Sequence, residues 1–446
     1  MLQAGFSRVN INPMLGIGLY GYYIPRYADG VLDDLEINTL ALSVGGQKTV
    51  FLVVDHCGIR QVVMDVLRKH VAEVTGLPLE AVYVSATHTH TAPFIDTEST
   101  DALIQEYTQF VCRKMGDSAK MALEDLKPAR MGWGVGKAPN IAFMRRYLMK
   151  DGSIRTNPGV NNPDIVRPVG QVDERVSVLR FDREQGETIV LTSIGIHPDT
   201  VGGCKISADW PGATRRTIEK ALDNTKCLVF NGVQGDVNHV KANPTGGDLN
   251  DMFMDFDDVS RGYGHTRYMG RVITGAVLQV FDKVAYIPVD SIRILQKTIQ
   301  VPAQLPTQEE LIKAREIDAL HQAGKDDQLP YRGMQLTTVV AGAARMLRLE
   351  NGPDSFKMVL TVIAIGSVAL VGIPGEPFSL VGTSIKEAPG WDLVIPCINT
   401  NGKEGYFPTQ DAYDIMGYEA ASSNFSPGVA ELIIAESLEL LKQLRA

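Results

Sequence analysis

The chain has 446 residues, 44% hydrophobic and 21% charged, with 43 basic against 52 acidic side chains for a net charge of −9. That length holds one large domain or two to three ordinary ones. The acidic balance argues against a general nucleic-acid binder, which carries a basic footprint, and offers no attraction to an anionic membrane surface.

The N-terminus lacks a basic segment, an apolar core and a small-residue cleavage site, so no signal peptide is expected. Five scattered cysteines, Cys57, Cys112, Cys204, Cys227 and Cys397, show no C-x-x-C spacing. A disulfide framework and a cysteine-built zinc site are both disfavoured, and reduced thiols in a cytoplasmic protein are the simplest reading. Residues 358–373 are the one stretch that resembles a membrane span. It is shorter than the roughly 20 residues a transmembrane helix needs, and Gly366-Ser367 splits it. Two buried strands joined by a tight turn fit it better, and no membrane insertion is expected.

Residues 4–12 alternate weakly and end at Pro13, which predicts a first strand; a Gly/Tyr-rich loop follows over 16–30. Apolar runs at 37–44 and 49–54 flank Gly45-Gly46, a strong hairpin signal, and the second leads into Asp55-His56. Val63, Val66, Leu67, Val71 and Val74 keep helical spacing, with Gly76 to terminate the helix. A buried strand opens at 81, after Gly76-Leu77-Pro78, and runs into Thr87-His88-Thr89-His90-Thr91-Ala92-Pro93. Side chains at i and i+2 of an extended chain share a face, so His88 and His90 are expected to converge at the strand's mouth. A helix is predicted over about 101–126, then loops and short strands with Arg145-Arg146 over 129–183, including a strand at 176–181.

A buried strand at 188–196 delivers His197-Pro198, and Pro211 sits where a helix reaching about 222 begins. A short strand at 227–230 feeds Asn231 through His239; a polar loop fills roughly 241–264, and a helix follows to about 283. Strands at 289–301 and a charged helix at 307–323 precede the 358–373 hairpin, which delivers Pro374-Gly375-Glu376. A strand at 393–395, a Gly/Tyr loop over 399–418 and an amphipathic helix at 429–444 complete the chain. No repeat, low-complexity tract or linker marks a boundary, so a single domain over 1–446 is expected. The fold class is α/β, leaning to α+β, with mixed β-sheets and helices packed outside.

Buried strands repeatedly end in polar motifs: Asp55-His56, His88 and His90, His197, Asn231 through Asp236, and Glu376. In α/β proteins, sites gather beyond the carboxyl ends of strands, and a metal site is expected there. Two or three histidines with a carboxylate form the ligand set of a catalytic zinc site that keeps a position open for water. No short sequential zinc motif is present. Glu376 could instead cap a turn, and Asp209 and Asp236 could brace loops. His56 is a further candidate for the cleft wall.

These motifs together resemble the catalytic domain of the neutral/alkaline ceramidase family. The resemblance rests on Thr87 through Pro93, His197 followed by Ser207-Ala208-Asp209-Trp210-Pro211-Gly212, Asn231 to Asp236, and Pro374-Gly375-Glu376. It also rests on Gly405-Tyr406-Phe407-Pro408-Thr409 and Tyr418-Glu419-Ala420-Ala421-Ser422. They fall in the family's order and span almost the whole chain.

The family is one of zinc-dependent amidases. The resemblance implies Zn2+ held by His88, His197, Glu376 and Tyr406, with His90 in acid/base work, Arg145 on the substrate and Tyr418 on the oxyanion. Asp55, Asp209 or Asp236 would orient a ligand histidine. Where the family has a serine after Gly-Asp-Val, this chain has Asn238 and then His239, so both are candidates for substrate contact. Phe94-Ile95-Asp96 replaces the usual Gly-Gly, and the expectation is a protein without the family's C-terminal immunoglobulin-like domain or secretion signal. The expectation is a ceramidase-like zinc hydrolase that cleaves an amide in a small-molecule substrate other than ceramide; assembly of copies of the chain stays open. The rival readings are ester, lactone, carbohydrate or phosphate chemistry on the same fold, and a binding protein with a relic site.

Overall fold

The computed structural model describes residues 1–249 and 262–445. Part of the polar loop expected over 241–264 lies outside the described residues.

Two mixed sheets lie face to face, with helices on both outer surfaces. Among the described residues the larger sheet has nine strands. Its order is Thr225–Asn231, Thr188–Ile194, Arg175–Arg183, Lys127–Lys137, Gln3–Asn10, Glu36–Val44, Gln47–Val54 and Val82–Ala86, with Ala285–Ile287 also on Lys127–Lys137. The second sheet orders Ile292–Pro302, Ser355–Ile365, Val368–Gly372 and Leu393–Cys397.

Strand alternation explains the layering. Phe51 and Val53 point inward with Leu179, Leu191 and Phe230 against Ile363, Leu370 and Ile395 of the second sheet, and form one inter-sheet core. Their neighbours Val50, Leu52 and Val54 point outward onto Val63, Leu67, Val111 and Met115 of the helices Gln61–Thr75 and Ala102–Glu124. A period of two divides one strand between two cores in this way. On the far side, Val362 and Val371 meet Val381, Ile433 and Leu440 of the helices Ser379–Lys386 and Val429–Arg445. Burying each such side chain is worth about 1.5–3 kcal/mol. The expected architecture of mixed sheets with external helices is the one found.

Local signals held where their chemistry is strong. Gly76 takes a left-handed φ of 70° and closes Gln61–Thr75, and Asp101 accepts from the Leu103 and Ile104 amides at the start of Ala102–Glu124. The hairpin Ser355–Ile365 and Val368–Gly372 turns at Gly366. No helix among the described residues is long and apolar enough to cross a membrane.

Several elements escape the sequence, among them a long strand and the helices Gly333–Leu349, Ser379–Lys386 and Gln410–Ile415. Lys127–Lys137 is an 11-residue strand whose alternation is hidden by Gly132, Gly134 and Gly136. Those glycines make room for neighbouring chain: a Cβ at Gly136 would stand 2.0 Å from the Ala276 carbonyl oxygen, and one at Gly132 2.7 Å from Val284.

Three parallel pairs set the site: Gln47–Val54 with Val82–Ala86, Thr188–Ile194 with Thr225–Asn231, and Val368–Gly372 with Leu393–Cys397. Parallel neighbours bring their carboxyl ends to the same edge. The larger sheet curls until its two edge strands meet, where the Asn231 amide donates to the Thr87 carbonyl at 3.1 Å.

Candidate metal centre

The strand Val82–Ala86 stops two residues before His88, and His88 itself has φ 78°. Strand alternation, the expected cause, is therefore not what brings His88 and His90 together. They converge because the chain turns through a left-handed residue just past the strand, with the His88 amide held on the His56 carbonyl at 2.8 Å. A non-glycine residue in that region is strained, and such strain concentrates at functional sites.

His88, His90, His197, Glu376 and Tyr406 meet at one point. His88 Nε2 lies 3.2 Å from His197 Nε2, 3.3 Å from His90 Nε2 and 3.0 Å from Glu376 Oε2. His197 Nε2 lies 3.5 Å from Glu376 Oε2 and 3.4 Å from the Tyr406 hydroxyl. His88, His197 and Glu376 are at most 2% exposed. Glu376 and Tyr406 are paired by a two-residue parallel bridge between their backbones, which fixes their separation.

The outer nitrogens explain why these atoms face inward. His88 Nδ1 makes a short contact with the Cys57 carbonyl, and the Asn399 side-chain amide is 3.1 Å away. His197 Nδ1 lies 3.3 Å from the Gln234 carbonyl. A carbonyl only accepts, so each Nδ1 carries the proton and each Nε2 presents a lone pair to the centre. Glu376 Oε2 is buried and has no hydrogen-bond donor among the described residues. A carboxylate and two lone pairs in contact, without a donor, make a cage that calls for a cation. Its edges, 3.0–3.5 Å, match the roughly 3.3 Å ligand separation of a tetrahedral zinc with bonds near 2.0–2.1 Å. His88, His197 and Glu376 thus fit a divalent metal, with Tyr406 within reach as a fourth ligand.

Electrostatics point the same way. Burial works against charge on His88, yet Glu376 beside it raises its pKa to about 10, so with no metal bound a proton on His88 fills the cation's place. Burial and the nearby Arg145 and His88 push His197 well down. Burial opposes ionisation of Glu376, but His88 and Lys403 hold it well below the usual carboxylate range. Lys403 Nζ stands 3.6 Å from Glu376 Oε1. The cage is therefore built around one shared positive charge.

His90 is different. Its ring is partly exposed, its Nδ1 has no hydrogen-bond partner among the described residues, and its edge meets the Tyr22 ring at 5.4 Å. Arg145 is buried; its Nε donates to Glu419 Oε1 at 2.7 Å, and its guanidinium lies 5.2 Å from the Tyr406 ring and 5.7 Å from the Tyr418 ring. Tyr418 packs edge-on against Tyr406, with ring centroids 5.7 Å apart.

The remaining candidates lie elsewhere. Both oxygens of Asp55 are committed to Arg215, at 3.0 and 2.6 Å. Asp209 accepts from the Val201 and Trp210 amides at 2.9 and 2.6 Å and braces the loop after His197. Asp236 accepts from the Ser379 amide at 2.6 Å and from its hydroxyl at 3.1 Å, tying two loops together. These three carboxylates serve the frame and do not orient a ligand histidine; backbone carbonyls do that instead. Asn238 and His239 line a neighbouring cavity. His56, with its ring bonded to the Pro93 carbonyl and the Gly58 amide, is lowered to about 4 by burial and supports the His88 loop as a neutral residue.

Asn399, Cys57 and Lys403 were missed. Asn399 lies just past the apolar strand Leu393–Cys397, the same placement that singled out the other deliveries. Nothing in the sequence marked Cys57 or Lys403.

The fold and the cage define a class: a two-sheet α/β sandwich with a buried His/His/Glu cluster at the carboxyl ends of its strands. Among solved structures, neutral ceramidase from Pseudomonas aeruginosa shares this fold at a TM-score of 0.73 and 17% identity, over 100% of this chain and 74% of that one. A ceramidase complexed with C2 matches at a TM-score of 0.74 and 18% identity, over 100% of this chain and 75% of that one. The chain has the neutral-ceramidase fold, at a low sequence identity. No protein-family model matches it, and no curated protein matches its sequence.

Proposed function

We propose that the protein is a zinc-dependent hydrolase that cleaves the amide bond of an N-acyl substrate other than ceramide. The observation that carries this reading is the acceptor-only cage of His88, His197 and Glu376, closed by Tyr406 and flanked by one unsatisfied histidine. Zinc in such a cage supplies a bound water with a pKa near 7 and polarises a carbonyl.

The chain's own groups supply the rest. His90, 3.3 Å from His88 Nε2 and with a buried Nδ1 that no group among the described residues engages, takes a proton from the attacking water and returns one to the leaving nitrogen. Tyr418, next to Tyr406, donates to the oxygen on which negative charge develops. Burial raises both phenols, so each keeps its proton for donation. Arg145 holds Tyr406 and Tyr418 in place and offers charge to the substrate. The different substrate is argued from Asn238 and Phe94-Ile95-Asp96, which stand where the family resemblance breaks.

The test is elemental analysis of the purified chain together with a screen of N-acyl amides, esters and lactones. Stoichiometric zinc with amide cleavage supports the reading. A metal-free protein that cleaves nothing after zinc loading overturns it, and preferred cleavage of N-acyl sphingosines overturns the claim about substrate.

A further inference from the structure

A cavity of about 830 Å3, within the range of small-molecule sites, opens between the loop that follows His197 and the loop that follows Val237. Asp199, two residues after His197, lines it together with Asn238 and His239. Asp199 Oδ1 lies 3.2 Å from His239 Nδ1, yet neither atom has an aligned hydrogen-bond partner among the described residues. Asn238 is 3% exposed, and its amide is fixed at both ends: Nδ2 donates to Asn157 Oδ1 at 2.8 Å, and Oδ1 accepts from the Val240 amide at 3.0 Å. Phe143 and Tyr268 add aromatic faces. Lys241 on the same wall is paired with Asp248 at 2.6 Å, so it is not held ready for an anion.

A carboxylate, an imidazole and rigid amides next to aromatic faces suit a polyol. Its hydroxyls both donate and accept, and its C–H faces pack on rings. An alkyl chain in the same space would strip water from Asp199 and His239 and return no hydrogen bond. We propose that this cavity binds the hydroxyl-bearing half of the substrate, which makes the preferred amide that of an N-acylated amino sugar. This rests on the amidase reading of the cage and adds the substrate class.

The experiment uses the full chain loaded with zinc. Hydrolysis of N-acetylglucosamine and of a short-chain N-acyl sphingosine is compared, and binding of free glucosamine is measured by calorimetry. Asn238→Ala and Tyr268→Ala are run beside the parent, with zinc content checked in each. The expected result is a preference for the amino sugar, with KM and the glucosamine Kd raised about tenfold in both variants, through a lost ring face in Tyr268→Ala and a lost anchor for Asn157 and Val240 in Asn238→Ala, and kcat little changed. Preferred cleavage of the N-acyl sphingosine, with KM unmoved by either variant, overturns the proposal and leaves an amidase. Glucosamine binding that both variants weaken, with no amide cleaved, leaves the cavity assignment standing and overturns the amidase reading. Absence of both amino-sugar binding and amino-sugar cleavage overturns the proposal.

Discussion

His88 and His197 face each other through their Nε2 atoms at 3.2 Å, while the Nδ1 of each turns to a backbone carbonyl. Two neutral imidazoles in this pose repel unless a positive charge lies between them, and the buried oxygen of Glu376 adds to the demand.

Removing zinc should therefore cost stability as well as activity. A ligand present at a thousand times its Kd stabilises the folded state by about 4 kcal/mol. Chelator-treated protein is expected to melt lower and to hydrolyse nothing, with both properties restored by one equivalent of zinc. His88→Ala and His197→Ala should each retain only trace zinc by elemental analysis. Full occupancy in either variant would remove that residue from the ligand set.

His90→Ala should separate chemistry from metal binding. Its Nε2 is within 3.3 Å of His88, but no carbonyl fixes its Nδ1 as carbonyls fix those of His88 and His197. The variant is expected to keep its zinc and lose about 10²–10⁴-fold in kcat, the usual worth of a general acid/base. Loss of zinc would make His90 a ligand.

The fold was largely legible because its cores are written in strand alternation: Phe51 and Val53 for one side, Val50, Leu52 and Val54 for the other. Cluster members were legible as polar residues just after apolar strands, the position of His88, His197 and Glu376. The geometry was not. His88 reaches its place through a left-handed φ that no side-chain pattern encodes. The orienting groups of both facing histidines are carbonyls of Cys57 and Gln234, which any residue could supply. Carboxylates attract attention in a sequence, so Asp55, Asp209 and Asp236 were overvalued as orienting groups. Lys127–Lys137 stayed hidden because its glycines answer to Ala276 and Val284, far away in the chain.

Arg215 tests the frame under the site. Its side chain is fully buried; it grips Asp55 with both terminal nitrogens and reaches Glu36 at 3.1 Å. Removing one partner of a buried pair strands the other, at about 3–5 kcal/mol. Arg215→Met should shift the urea midpoint accordingly, whereas an Arg215→Met/Asp55→Leu double variant should recover much of the loss. Equal losses in the single and double variants would show that packing around Arg215, and not its charge, is what matters.

Asp236 gives the pH dependence. Burial raises its carboxyl from an ordinary 3.8 to about 6, against the Ser379 amide and hydroxyl, which favour the ionised form. A raised folded-state pKa means that the neutral form is preferred in the fold. Its contribution to stability is complete below about pH 4 and is lost as pH rises through about 6. A shift of about two units is worth about 3 kcal/mol. Asp236→Asn keeps the shape and one acceptor oxygen while removing the charge. Relative to the parent, it should gain up to about 3 kcal/mol by pH 8, with the gain falling away toward pH 4. Urea titrations at pH 4, 6 and 8 measure this directly. A difference that stays flat, or that favours the parent at pH 8, would mean that the first turn of Ser379–Lys386 holds the ionised carboxylate more strongly than burial opposes it.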